Sequence, residues 1–335
     1  MREELKNTLL SLIQKDFPLC PKPFDELGKR LGVSEEEILD ILKQEKENSI
    51  IRQISPIFDT KRLGYKSSLV AFMVDKKDID SAVEIINSHP GISHNYERNH
   101  DFNIWFTIAI APDSSLGLEK TVELLAKLTN AKDFIILPTL KMFKIQVKLN
   151  TTGKDAKKEK VTKKVFTKLE LTPFHHEVIK LTQHDLALVS EPFEDVKNRL
   201  DISYDELFKT LDEFKKAGVM RRFAGILNHR KAGFGANAMV VWDVDEQKGE
   251  EIGKVASSFS AVSHCYLRPK YPNWRYNLFT MIHGKTTDET NSVIEEIANE
   301  IEYKSKMPLY STQEFKKQRI IYFSNNFYNW EEKYL

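Results

Sequence analysis

Cysteine is nearly absent from this chain. Cys20 and Cys265 are the only two in 335 residues and form no CxxC pair, so a disulfide scaffold or a cysteine-rich zinc site is excluded. Long apolar runs are missing as well: nothing approaches the ~20 residues of a membrane-spanning helix. The opening MREELKNTLLSLIQKDF is acidic and amphipathic and lacks the apolar core of a secretion signal, so a cytoplasmic protein is expected. Neither sign of charge prevails. With 50 Lys and Arg against 49 Asp and Glu, the formal charge is +1, which argues against a nucleic-acid protein relying on a bulk basic field. No Walker loop, GxGxxG turn, HExxH or GxSxG motif is present, and paired carboxylates are lacking from the segments described below.

What is there is a globular composition, 41% hydrophobic and 30% charged. The length suggests two or more domains at roughly 150 residues each. It also contains a long-period repeat. PFDELGKRLGVSEEEILDILKQEKENSIIR from Pro23 matches PFEDVKNRLDISYDELFKTLDEFKKAGVMRR from Pro192. Gly64 of RLGYKSSLVAFMV then matches Gly233 of KAGFGANAMVVWDV, at the same offset of 169 residues. GISHNYER matches AVSHCYLR, setting His94 against His264, and FNIWFTIAI matches YNLFTMIHG, setting Asn103 against Asn277. The second copy carries about four extra residues near Tyr271-Pro272-Asn273. A lysine-rich stretch from Asn150 joins the copies and reads as a solvated linker.

Each copy opens with a helix-turn-helix pattern. Leu5, Leu9, Leu12 and Ile13 share a helical face, Pro23 opens a second helix that ends at Gly32, and Ser34 with Glu37 forms a capping box. Ser203 caps the corresponding helix of copy two, with Leu207, Phe208, Leu211 and Phe214 inside. The rest alternates strand and helix in the order βαββαβ, the ferredoxin-like unit. The fold class is therefore α+β, a tandem repeat of winged helix-turn-helix and ferredoxin-like modules. The expected boundaries are a helix-turn-helix over 1–53, a ferredoxin-like domain over 54–149, a linker over 150–170, a second helix-turn-helix over 171–222 and a second ferredoxin-like domain over 223–335.

This module pair resembles the Lrp/AsnC family of transcription regulators, which implies a DNA-binding regulator sensing a tetrapyrrole or an amino acid as one reading. The residues oppose it. A recognition helix presents its first turns to the duplex, and here those positions are Glu35, Glu36 and Glu37, and Asp205 and Glu206. Carboxylates facing phosphates are repulsive, and Lys197 and Arg199 make no basic stripe. DNA is not the expected partner, and neither is a membrane.

The chemistry concentrates elsewhere. Side chains alternate faces along a strand, so His94, Tyr96 and Arg98 share one face, as do His264, Tyr266 and Arg268. Either set alone could be an ordinary solvated strand face; its presence in both diverged copies argues for a site that takes a carboxylated ligand. Lys61 and Arg62 precede Gly64; Arg221, Arg222, His229, Arg230 and Lys231 precede Gly233. Such runs are often merely solvent-facing, but arginines suit carboxylates and the glycines allow close approach or positive φ. Phe102, Trp105, Phe106, Trp274, Tyr276 and Phe279 could stack a planar ligand. Core packing is the commoner fate and is assigned to Phe106, while Trp274 stays open. His100 and His283 are further imidazoles on these strands, read foremost as polar histidines, with metal ligation in a bound macrocycle as the alternative. His89, His175, His176 and His184 read as structural.

GYKS, GISHNYERNHDFNIWFT, MRRFAGILNHRKAGFGANAMVVWDV, VSHCYLRPKYPNWRYNLFTMIHG and STQEFKK together resemble the sirohaem (siroheme) decarboxylases, over nearly all of both halves. The resemblance implies removal of carbon dioxide from two acetate arms of sirohaem to give didecarboxysirohaem, in haem d1 or alternative haem formation. It also implies a fusion of two subunits into an intramolecular pseudo-heterodimer; further homodimerisation is left open. The residue chemistry is compatible. Cleavage leaves charge on a methylene carbon that the ring delocalises and that must be protonated, for which a histidine near neutrality is suited. The catalytic candidates are His229, His264 and His94 as proton donors, with Tyr266 and Tyr96 assisting. The substrate-binding candidates are Arg221, Arg222, Arg230, Lys231, Arg268, Trp274, Lys61, Arg62, Arg98 and His100. No protein-held metal and no organic cofactor are expected, the iron being carried by the substrate and the macrocycle acting as electron sink. The second copy, the more cationic, is the favoured site.

Overall fold

The computed structural model describes residues 2–15, 17–145, 166–228, 236–284 and 286–335. Two compact units divide the protein, and each takes segments from both copies. One comprises Met1–Tyr65, Lys163–His229 and Ile321–Asn325; the other comprises Lys66–Thr162, Arg230–Ile320 and Asn326–Leu335.

The first unit contains the helices of the helix-turn-helix modules. α1 (Arg2–Lys15), α2 (Pro23–Leu31) and α3 (Glu35–Glu47) come from copy one. Pro23 starts α2, where its missing N–H costs nothing, and Gly32 ends it at φ 71°. The Ser34 hydroxyl accepts from the Glu37 N–H at the start of α3. Strand β1 (Ile51–Phe58) follows. In copy two, α6 (Pro173–Thr182), α7 (Glu194–Leu200) and α8 (Tyr204–Lys216) precede β7 (Met220–Leu227), and Ser203 repeats the cap. Asp201 takes the place of Gly32 in the left-handed region, at φ 52°, which a short polar side chain tolerates. β1 and β7 pair antiparallel, Ser55 opposite Ala224 and Pro56 opposite Phe223, so the two modules share one ribbon. Leu9, Ile13, Phe24, Leu27, Ile38 and Leu42 fill the copy-one side; Val178, Ile179, Leu207, Leu211 and Phe214 fill the other.

The second unit is two ferredoxin-like modules. Copy one supplies β2 (Lys66–Met73), α4 (Ile79–Ser88), β3 (Ile92–Arg98), β4 (Ile104–Ile110), α5 (Gly117–Leu128) and β5 (Asp133–Pro138), with β6 (Lys141–Ile145) following after two residues. Copy two supplies β8 (Ala236–Asp243), α9 (Gly249–Ser258), β9 (Val262–Leu267), β10 (Leu278–Gly284), α10 (Thr287–Glu300) and the long β11 (Ser305–Lys317). The strand order is β5-β2-β4-β3-β11-β8-β10-β9-β6. Each copy thus has its fourth strand beside its first. The extension of that fourth strand crosses to the partner copy: β11 pairs with β3, and β6 pairs with β9. These exchanges cover the edges of the two strands that carry the His-Tyr-Arg sequences.

Alternation assigns the two sheet faces. In copy two, Val240, Trp242, Val262, Cys265, Leu278 and Ile282 pack against Ile252 and Ala256 of α9 and Ile294 and Ile297 of α10. The opposite faces of both copies share one core: Ala71, Trp105, Ile135 and Leu137 of copy one with Met239, Val241, Phe279 and Leu309 of copy two.

A terminal helix, α11 (Asn325–Glu332), was not evident in the sequence. Its Trp330 ring lies 4.4 Å from that of His89, a fully buried residue whose Nδ1 accepts from the Gly91 N–H. Burial, with Lys316 nearby, lowers the His89 pKa from 6.5 to about 3. The unfolded state therefore binds the extra proton between those values, so this contribution is complete above about pH 6.5 and is lost as the pH falls toward 3. By pH 5 the loss amounts to about 2 kcal/mol. We expect the thermal midpoint to fall between pH 7 and pH 5, and His89→Phe to flatten that dependence; an unchanged slope would contradict this.

Candidate functional site

Each His-Tyr-Arg face begins at a β-bulge. Ile92 pairs with Ile108 but His94 with Thr107, which leaves Ser93 extra; Val262 pairs with Ile282 but His264 with Met281, which leaves Ser263 extra. A bulge re-aims side chains, and here it brings each serine hydroxyl to its neighbour's imidazole: Ser93 Oγ is 2.9 Å from His94 Nδ1, and Ser263 Oγ is 2.7 Å from His264 Nδ1. Beyond the bulge the period of two holds. The His94 and Tyr96 rings stack at 6.3 Å, and those of His264 and Tyr266 at 6.1 Å. Arg98 lies 5.7 Å from the Tyr96 ring centroid and Arg268 5.0 Å from that of Tyr266. The ladder read from the sequence exists twice.

The arginines close the ladders inside the shared core. Arg98 is 6% exposed and Arg268 9%. Arg98 Nη1 donates to the Leu309 carbonyl of β11 at 2.8 Å, and Arg268 Nη1 donates to the Leu137 carbonyl of β5. Each guanidinium thus reaches the other copy's fourth strand. Among the described residues neither has a carboxylate partner, and the Nε of each is buried without an acceptor. Burial lowers both pKa values to about 10. A buried cation without a counter-ion is costly, and the cost arises at equivalent places in both copies.

The imidazoles differ between copies. Burial, His283 and His94 hold the His264 pKa at about 4, so the ring is neutral at pH 7 in the free protein. His94 therefore lies close enough to His264 to bear on it. In copy two Ser263 Oγ is also 2.6 Å from His283 Nε2, and His283 Nδ1 is 2.6 Å from Asn237 Oδ1. Burial, reinforced by Lys317, lowers the His283 pKa as well. In copy one the ladder puts Ala109 opposite Ser67 where copy two has His283 opposite Asn237, and Ser93 bonds Thr107 instead at 2.8 Å. The flanks differ too. Tyr266 is paired with Met142, which is 51% exposed, and Tyr96 is paired with Glu314. An apolar flank suits a macrocycle; a carboxylate opposes a polycarboxylate.

The other expected residues are placed differently. Trp274 is 2% exposed, with its ring against those of His100, Phe102, Trp105, Tyr276 and Phe279. His100 Nδ1 accepts from the Phe102 N–H, and burial lowers its pKa. Trp274 thus packs into the inter-copy core, where the extra residues of copy two fold back with Tyr271 Oη donating to the Ile136 carbonyl, while His100 beside it stays half-buried. Lys61, Arg62, Arg221 and Arg222 belong to the first unit. Arg221 pairs with Asp59 at 2.9 Å, Arg222 donates to the Gln14 carbonyl, and Arg62 donates to the Ala217 carbonyl while lying 4.2 Å from the Phe166 centroid. Lys61 is exposed, and Gly64 has φ 84°. His229, Arg230, Lys231 and most of the lysine-rich linker lie outside the described residues. Among the described residues no cluster of three or more His, Cys, Asp or Glu is placed to hold a metal ion, and no helix is long and apolar enough to cross a membrane.

The fold defines a doubled protein of helix-turn-helix and ferredoxin-like modules. Models of the AsnC-like ligand binding domain match residues 62–144 and 231–316, and models of the siroheme decarboxylase NirDL-like HTH domain match 6–52 and 175–221. The chain is 43% identical over 322 residues to the siroheme decarboxylase of Hydrogenobacter thermophilus, covering 96% of each. A crystal structure of the siroheme decarboxylase NirDL in complex with an iron-uroporphyrin III analogue superposes with a TM-score of 0.80 at 37% identity, covering 98% of both proteins. The siroheme decarboxylase alpha subunit of Desulfovibrio desulfuricans is 42% identical over 43% of this chain and 82% of its own length, so a separate subunit there corresponds to about half of this protein. The chain belongs to the siroheme decarboxylase family. The regulator reading is not favoured, and the exposed Glu36, Glu37, Asp205 and Glu206 at the starts of α3 and α8 agree with that.

Proposed function

We propose that this protein is a carboxy-lyase that removes carbon dioxide from two acetate arms of sirohaem, giving didecarboxysirohaem for haem d1 or alternative haem formation. One observation carries the reading: two buried guanidiniums, equivalent in the two copies and without carboxylate partners among the described residues, each end a His-Tyr ladder. A ring bearing many carboxylates supplies the missing counter-charge. Arg98 and Arg268 hold and orient substrate carboxylates, and the intramolecular pseudo-heterodimer completes the site, because each arginine is braced by the other copy.

When a pyrrole acetate loses carbon dioxide, the C–C bond breaks and its electron pair passes into the conjugated ring. A proton on the methylene carbon completes the methyl group. His264 is the donor best supported by its surroundings, with Tyr266 beside it. The iron arrives with the substrate, and the macrocycle takes the electron pair, so no organic cofactor enters.

Substrate carboxylates raise the pKa of nearby imidazoles. His264 and His283 are therefore expected to take up at least one proton per sirohaem bound near pH 7, measured by calorimetry in buffers of different ionisation heat. Binding without uptake would contradict a neutral resting pair. The activity itself is tested by anaerobic incubation with sirohaem and mass spectrometry of the tetrapyrrole. Loss of two carboxyl groups is expected; sirohaem recovered unchanged would overturn the reading.

A further inference from the structure

The proposed chemistry needs one proton per decarboxylation, delivered to a carbon beside a half-buried histidine. The decarboxylation itself does not supply that proton. Copy two contains a continuous run of hydrogen bonds behind His264, from His264 Nδ1 to Ser263 Oγ (2.7 Å), from Ser263 Oγ to His283 Nε2 (2.6 Å), and from His283 Nδ1 to Asn237 Oδ1 (2.6 Å). Its outer end, Asn237, is exposed. Every link is short, and the bulge at Ser263 is what lets one hydroxyl touch both imidazoles. Copy one retains the bulge, the serine and the first histidine, but has Ala109 and Ser67 where the run would go on.

We propose that His283 is a positioning and proton-storing residue: it holds the proton that Ser263 passes back to His264 during the reaction, and Asn237 fixes its tautomer. This rests on the decarboxylase reading and adds where the proton of the acid is held.

The proton positions follow from the donors. The Asn237 carbonyl oxygen accepts, so His283 carries its proton on Nδ1. With His283 neutral, its Nε2 accepts from the Ser263 hydroxyl, and Ser263 accepts from His264 Nδ1–H. His264 Nε2 then bears a lone pair. When His264 Nε2 takes a proton from water, its Nδ1 proton passes to Ser263 and the Ser263 proton passes to His283 Nε2, so His283 holds the added charge, the hydroxyl now donates to His264 Nδ1, and His264 is left as the Nε2–H tautomer. At the carbanion, Nε2–H forms the new C–H bond as Nδ1 takes the Ser263 proton and Ser263 takes that of His283. The net transfer is one proton from His283 to the methylene carbon, and the half-buried His264 never holds a full charge. Lys317 of β11 is the cation bearing on His283, and a bound polycarboxylate offsets it.

The test uses the full-length protein with sirohaem under anaerobic conditions. Ser263→Ala and His283→Gln are expected to lower kcat at least about tenfold, within the range of general acid catalysis, with KM changed less than about threefold. Ser263→Thr, which keeps the hydroxyl, should retain at least half of the wild-type kcat, and free imidazole should restore much of the loss in His283→Ala. If Ser263→Ala keeps a wild-type kcat while the wild type decarboxylates sirohaem, the relay is wrong and the enzyme reading stands. If the wild type is inactive, the enzyme reading falls. Nitrogen-15 shifts of His264 still decide the relay: a proton held on Nδ1 in the free protein and lost from that position in Ser263→Ala supports it, and no change overturns it.

Discussion

Replacing His264 by alanine is expected to lower kcat for loss of carbon dioxide by about 10²- to 10⁴-fold, the span of positioned acid catalysis, with KM nearly unchanged. The same change at His94 should cost no more than about tenfold. The difference follows from what lies behind each ring. His264 is linked through Ser263 to a second imidazole, whereas the Ser93 hydroxyl beside His94 leads to Thr107. The flanks point the same way, Met142 beside Tyr266 and Glu314 beside Tyr96. Steady-state rates for the two variants, with sirohaem affinity measured separately, check this. Equal losses would mean that both faces react, and a larger loss at His94 would reverse the assignment.

Arg268→Met carries the second large effect, and it separates ligand chemistry from architecture. Arg268 is a buried cation that donates to the Leu137 carbonyl and whose Nε has no acceptor. Removing one partner of a buried charge pair costs 2–5 kcal/mol or more, so sirohaem affinity should weaken at least about thirtyfold. The free protein loses an uncompensated buried charge and one hydrogen bond, effects of opposite sign, so its thermal midpoint should move little. An arginine serving only to brace β9 against β5 would show the reverse, a lowered midpoint with unchanged affinity. Absorbance titration and thermal unfolding of the same variant distinguish the two.

The features legible in the sequence are those that depend on local rules. Alternation of period two places His94, Tyr96 and Arg98 on one face, and a serine three residues before a glutamate marks the starts of α3 and α8. What escapes depends on pairing between distant residues. MRRFAGIL reads as a cationic run, yet it is strand β7, and its partner β1 contains Pro56, which weakens any strand signal. The exchange of β6 and β11 between copies has no local signature. His283 reads as an ordinary polar histidine because its partner Ser263 is reached only through a bulge whose extra residue depends on β10. Trp274 reads as a possible ligand platform because its loop is an insertion; the cluster of His100, Phe102 and Trp105 that covers it comes from the other copy.

The central claim is that this site breaks the C–C bonds of two acetate arms and returns a solvent proton to each remaining carbon. Anaerobic turnover of sirohaem in deuterium oxide, read by mass spectrometry of the purified tetrapyrrole, tests it most directly. The expected product has lost two molecules of carbon dioxide and carries one non-exchangeable deuterium on each of two new methyl groups. Intact sirohaem, or a decarboxylated product without deuterium in those methyls, would contradict it.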